Sequence, residues 1–317
     1  MVVGDDTDGA IKGMVSVADQ YLYVIKEHAI YRVLLADEID PERTNASIPD
    51  SSQRIASAGS TSEIVGRSFL TANTLFNVSR FDQTFDRKPI MDLGLEIMKN
   101  LLAAQKIAAE VFAAEAAAKE ELRQPQDRGF TIPSIDNLAE SIKAYLQKVE
   151  HAAQSVFRFT QIFYDHRKKM FDGFAEKLES EYGNADEFTQ FAKEMAKFMV
   201  FIRNTRHCIE HPNPKQKLVI QDFSLGADGK LSRPSIEIIH NETPQKEMAI
   251  SDFVQQVSDG VLSTVEALMV HLAFKHMAPF GNFAIAVGII PEGQRSPGSK
   301  VRAGYLIDIG NGWHRLG

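Results

Sequence analysis

Apolar residues recur at helical spacing through much of this chain. Between residues 188 and 202 they are Phe188, Phe191, Met195, Phe198, Met199 and Ile202. This i, i+3, i+4 pattern marks one face of a helix. A similar pattern covers residues 135–182, from Leu138, Ile142 and Tyr145 through Phe159 and Phe163 to Phe174 and Leu178, until Gly183-Asn184 ends it. It also covers residues 251–277, with Phe253, Val257, Val261, Val265, Leu268 and Leu272. Pro89 opens a further long helix from its first turn, where proline is tolerated. The alanine-rich second half of that helix, Ala113 to Glu121, has high propensity and little to bury, so it reads as a solvated projection or a packing arm. Residues 11–37 fit helical spacing as well, through Met14, Val17, Tyr21, Val24, Ile25, Ile30, Val33 and Leu34. Residues 41–60 are polar and read as a loop, and a shorter helix is expected over 61–78.

Strand signals are few. Residues 217–223 and 235–240 read as a hairpin turning at Gly226-Ala227-Asp228-Gly229. The tail from Phe283 to Trp313 alternates glycine with β-branched and aromatic residues and predicts two more strands. The expected class is mainly α: a helical bundle with long helices, a small β hairpin and a short β tail. Loop signals around 124–133 divide it into a helical region 1–130, a bundle with the hairpin 131–280, and a β-rich tail 281–317 that packs on the bundle.

Composition narrows the chemistry. The 317 residues carry a net charge of −7, which excludes a generally nucleic-acid-coating surface. Any contact with RNA needs a local patch. Residues 203–217 supply one, with Arg203, Arg206, Lys215 and Lys217 against the single acid Glu210. The cluster Asp165-His166-Arg167-Lys168-Lys169 reads as a solvated helix face. The lone cysteine, Cys208, cannot form an intrachain disulfide, which suits a reducing cytoplasm. Acidic residues follow Met1-Val2-Val3 almost at once, so no secretory signal is read. No uninterrupted apolar run reaches membrane-spanning length, so no membrane association is expected.

The segment Arg203-Asn204-Thr205-Arg206-His207-Cys208-Ile209-Glu210-His211 closes the helix begun at Phe188, and Pro212 follows directly. One reading is structural. Basic residues offset the carbonyl end of a helix dipole, and Arg206 can pair with Glu210 one turn on. Arg206 also continues the apolar face and needs a counter-group, a cleft or a partner subunit.

A second reading is functional. Arg206 to His211 fits R-x4-H with a polar residue directly after the arginine, and so resembles the signature of the HEPN (higher-eukaryote and prokaryote nucleotide-binding) superfamily. The resemblance extends over about residues 135–277 through the helix before the motif and the long helix after it. It implies a helical bundle and, for many members, a metal-independent endoribonuclease of toxin–antitoxin or defence systems. His211 would then be the acid or base, Arg206 the phosphate clamp, and His207 the polar residue beside it. Arg203, Asn204, Lys215 and Lys217 would contact substrate. The resemblance further implies a homodimer with paired motifs, RNA as substrate and an antitoxin protein as partner, with no cofactor. The alternative is a non-catalytic module that binds a nucleotide or a protein with the same face.

His207 to His211 also reads H-x-x-E-H, a zinc-peptidase signature. Pro212 opposes the helix that this requires, and Ala286, Val287 and Gly288 stand about where the third, acidic ligand belongs. Residues 293–300 superficially resemble a phosphate-binding loop. However, Val301 to Ile307 reads as strand, whereas that chemistry needs a helix N-terminus.

Overall fold

The computed structural model describes residues 3–17, 21–77, 79–121, 131–166, 170–279, 281, 283–310 and 312–316. Two compact units result, one of residues 1–99 with 262–317 and the other of residues 100–261.

The first unit opens with a four-stranded antiparallel sheet: β1 (Ile11–Val17), β2 (Tyr21–Lys26), β3 (Ile30–Leu34) and β4 (Ser51–Ala56), paired in sequence order. A short helix α1 (Ala36–Ile39) lies between β3 and β4. Val24, Ala29, Tyr31 and Val33 form a core cluster, with Val3 and Leu22 packed against it. Two short helices follow, α2 (Glu63–Val65) and α3 (Thr71–Leu75), joined by a π-helical turn over Gly66–Leu70. Phe69 on that turn meets Tyr23 edge to face at 5.7 Å, which fixes the turn against the sheet. The long helix α4 (Arg87–Glu121) begins in this unit and runs into the second.

The second unit is built on α5 (Leu138–Phe163), α6 (Met170–Tyr182) and α7 (Glu187–Glu210). Asp186 caps α7 by accepting from the Phe188 and Thr189 amides at 3.0 and 3.3 Å. The stripe read from the sequence turns inward, with Phe188, Met195, Met199 and Ile202 all buried. Strands β5 (Lys217–Gln221), β8 (Ser235–Ile239) and β9 (Gln245–Ala249) form an antiparallel sheet, and the excursion between the first two carries the small pair β6 (Ser224–Leu225) and β7 (Leu231–Ser232). The alanine-rich half of α4 is a packing arm: Ala108, Val111, Glu115 and Ala118 are buried, and Glu115 pairs with Arg233 at 3.0 Å.

Helix α8 (Ile250–Lys275) starts in the second unit and ends in the first. Among the described residues it is the one helix long and apolar enough to cross a membrane, with a mean hydropathy of 1.3, but half of that stretch is buried inside the protein. It also carries buried Glu266, whose carboxylate pairs with Arg67 and Arg302 of the first unit. These features make it a core helix. The first unit closes with β10 (Ile285–Ile289), β11 (Ala303–Asp308) and β12 (Trp313–Arg315) in one antiparallel sheet.

The expectation of a mainly α, all-helical bundle is therefore wrong. The fold is mixed α and β, with four separate sheets among the described residues. Ile11–Val17, Tyr21–Lys26 and Ile30–Leu34, expected within one helix, are the strands β1, β2 and β3. Their apolar positions satisfy both periods, and the dense β-branched and tyrosine content favours the pleated surface. The polar stretch 51–56, expected as loop, is a half-exposed strand at the sheet's edge, where polar side chains are tolerated. The single hairpin is a three-stranded sheet with a two-stranded excursion, and the tail has three strands rather than two. The uninterrupted helix over 135–182 breaks after Phe163 and resumes at Met170; Arg167, Lys168 and Lys169 lie outside the described residues.

Candidate functional site

The end of α7 is tied down by its own sequence. Pro212 cannot continue the backbone ladder, and His211 sits at the C-cap with its amide bonded to the His207 carbonyl at 2.9 Å. Asn213 and Gln216 close a tight turn through reciprocal backbone bonds of 2.7 and 3.0 Å. The turn brings Gln216 Nε2 back to the carbonyls of His207 and His211, at 3.0 and 3.3 Å. One side chain thus reaches two carbonyls of the helix end, adding to the His211 amide on the first.

Arg206 is held by two carboxylates. Its Nη1 lies 2.6 Å from Glu150 Oε2 on α5, and its Nε and Nη2 lie 2.9 and 2.7 Å from Glu210 Oε1. Burial alone would lower its pKa, but the two carboxylates outweigh that and raise it. One guanidinium thus faces two carboxylates, which leaves the cluster net negative. Gln154 Nε2 donates to the other oxygen of Glu150 at 2.5 Å. Asn204 is also structural: it is buried, and its Nδ2 donates to Thr243 Oγ1 at 3.2 Å. Cys208 is buried with its thiol 3.6 Å from the Ile239 carbonyl of β8.

The two histidines stand side by side, ring centroids 6.5 Å apart. Burial, and then the charge of Arg203, hold the His207 imidazole below its ordinary pKa, with Glu210 opposing. It is therefore neutral at neutral pH. His211 is exposed, as are Arg203, Lys215 and Lys217. Among the described residues, none of those three cations joins an ion pair. Nor do the described residues contain a group of three or more His, Cys, Asp or Glu side chains placed to hold a metal ion. Glu210, the acid of the H-x-x-E-H pattern, is committed to Arg206.

The structure thus gathers Arg206, His207 and His211 at one helix end, with Arg203 one turn earlier on α7 and Lys215 and Lys217 in the turn and strand that follow. Sequence reading missed Glu150. A signal for it exists, since Glu150 falls within the α5 stripe of Leu146, Val149 and Ala153, all buried. An acid at such a position needs a buried partner.

Compared with known protein families, curated proteins and solved structures, the chain matches none. The HEPN resemblance rests on the motif and its helix.

Proposed function

We propose that the end of α7 is a phosphate-binding edge for single-stranded RNA, and that it binds without cutting. The observation that carries this reading is the division of labour among the cations. Arg206, the clamp of the cleaving version, is paired with both Glu150 and Glu210. Arg203 on the same helix end and Lys215 and Lys217 just after it are exposed and join no ion pair among the described residues. A guanidinium whose charge is already met by two carboxylates has little net positive charge to offer a phosphorane-like transition state, whereas exposed surface cations suit backbone phosphates. In a chain of net charge −7 this basic edge is local, so binding is moderate and salt-sensitive.

The test is fluorescence anisotropy with an end-labelled single-stranded RNA in EDTA, read at several salt concentrations. Binding should weaken with salt. The triple variant Arg203→Ala, Lys215→Ala, Lys217→Ala should bind about tenfold or more weakly, with a shallower salt slope by roughly two, at ~0.7 per phosphate contact on single strands. Unchanged binding in that variant removes the reading. RNA cleavage by the parent that is lost in His211→Ala would replace it with the nuclease reading. Light scattering on the same samples shows whether two such edges pair in a homodimer.

A further inference from the structure

In the first unit, two neighbouring cavities are both lined by Asn73 and Thr74 of α3. The smaller, of ≈ 330 Å³, is also lined by Asn77, Arg80, Tyr305 and Arg315. The larger, of ≈ 390 Å³, is walled by Met14, Val15, Ile25, Leu70 and Val301, with the hydroxyl side chains of Ser60, Thr61, Ser296 and Ser299 among them. Both lie within the range of small-molecule sites, ~300–1,000 Å³.

The smaller chamber is lined mainly by hydrogen-bond donors. Asn73 Oδ1 is taken by Arg87 Nη2 at 2.6 Å, which leaves its Nδ2 as the group free to donate. Asn77 Oδ1 is taken by the Ser79 amide and hydroxyl at 3.0 and 2.9 Å, with the same result. The Arg80 guanidinium lies 6.0 Å from the centroid of the Tyr305 ring. Tyr305 is itself anchored by its hydroxyl, which donates to the Leu75 carbonyl at 2.6 Å. Arg315 Nη1 donates to Ser296 Oγ at 2.9 Å, a residue that lines the larger chamber. Gly304 also lines the smaller chamber, and a Cβ there would come 3.0 Å from Ile290.

Among the described residues, no Asp or Glu side chain lines the smaller chamber. The one acid lining the larger, Glu27, is paired with Lys12 at 2.8 Å. Behind Asn73, Arg87 is half-buried and bonds only to neutral acceptors: the Phe76 carbonyl at 3.1 Å, the Ser16 carbonyl and Asn73 itself. Its charge has no carboxylate partner among the described residues. Arg80, Arg315 and two amide donors, with Arg87 behind them, thus bias one chamber toward an anion, while the other is aliphatic and hydroxylated apart from the paired Lys12 and Glu27.

We propose that these two chambers form one ligand site for a small phosphate ester with a neutral, hydroxylated body of nucleoside size. The phosphate would lie among Arg80, Arg315, Asn73 and Asn77. The body would lie against Met14, Leu70 and the serine-rich turn at 296–299, the segment that superficially resembled a phosphate-binding loop. That turn contributes hydroxyls rather than helix amides. The site is independent of the α7 edge.

The test is isothermal titration calorimetry on the full chain with adenosine monophosphate, glucose 6-phosphate, adenosine and inorganic phosphate. At least one ester should bind with a Kd below ~1 mM, and free phosphate and adenosine at least about tenfold more weakly. Arg315→Gln, at the half-exposed rim, should weaken the ester about tenfold and leave adenosine unchanged. Arg80→Gln should do the same, with thermal melting to confirm that it folds. Failure of both esters to bind, or ester affinity unchanged in Arg315→Gln, overturns the proposal. So does an ester that binds no tighter than inorganic phosphate.

Discussion

Glu150 on α5 and Arg206 on α7 are joined at 2.6 Å, across 56 residues of chain, and the Glu150 side chain keeps 8% of its exposure while that of Arg206 keeps 23%. Arg206→Ala would leave the carboxylate buried without its cation. The expected loss is about 2–3 kcal/mol in urea unfolding, below the ~3–5 kcal/mol of a fully buried pair because Arg206 retains some solvent contact. Glu210→Ala removes only the more exposed partner and should cost under ~0.5 kcal/mol. Equal effects from the two substitutions would mean that the α5–α7 link is not what holds the guanidinium.

Gly59 faces a different constraint. A Cβ placed on it would stand 2.0 Å from the Lys26 carbonyl oxygen and 2.8 Å from the Ala29 amide nitrogen. These are backbone atoms of the β2–β3 turn, to which Ser60 and Thr61 are also bonded through their amides. They cannot rotate away as a side chain would. Gly59→Ala should lose at least the ~1–3 kcal/mol of ordinary overpacking. Gly13→Ala, where nothing lies within 4 Å, is the control and should be close to neutral in a thermal melt.

The helices of the second unit were legible because their stripes run for several turns without a competing period. Phe188 to Ile202 reads only as helix. Tyr21 to Leu34 does not: its apolar residues fit spacings of two, three and four. The deciding interactions are non-local, such as Tyr31 against Asp8 and Arg54. Ser51–Ala56 shows the converse, since a polar edge strand and a polar loop have the same composition. At the α7 end, sequence identified the residues but not their partners. Arg206–Glu210 follows from helical spacing, whereas Arg206–Glu150 depends on how α5 crosses α7. The phosphate-ester site was not legible at all, because it joins Asn73 and Asn77 to Arg315 through the return of β11 and β12.

His166 makes stability pH-dependent. It is buried beside Phe157 and Phe174, with ring centroids 5.3 and 5.0 Å away, and Thr160 Oγ1 lies 2.9 Å from its Nε2. Burial holds its pKa below the ordinary 6.5. The folded state therefore keeps it neutral at a pH where the unfolded chain takes up a proton. Its effect on stability is absent above 6.5 and grows as a loss as pH falls from there toward the folded pKa. His207 is shifted the same way and adds to the slope. His166→Phe should flatten, but not abolish, the fall in unfolding free energy between about pH 7.5 and about pH 5. Thr160 keeps its bond to the Phe157 carbonyl at 2.7 Å, so little should be lost at the higher pH.

Cys208 reports on the opening of the contact between α7 and β8. It is 1% exposed, burial raises its thiol pKa, and its Sγ lies 3.6 Å from the Ile239 carbonyl. A thiol must be both exposed and ionised to attack a disulfide reagent, and the native state opposes both. Labelling by an aromatic disulfide at about pH 8 should therefore be slow in the native protein and immediate in urea, where the thiol regains its ordinary pKa of ~8.5. Because the reaction passes through an opened state, its rate should rise with any loss of stability at this helix end. Arg206→Ala, two residues away, should accelerate it by roughly thirtyfold if that variant costs ~2 kcal/mol, since ~1.4 kcal/mol is a factor of ten. Fast labelling of the parent, or a rate indifferent to Arg206→Ala, would mean that the thiol becomes accessible by a motion that leaves the Arg206–Glu150 link intact.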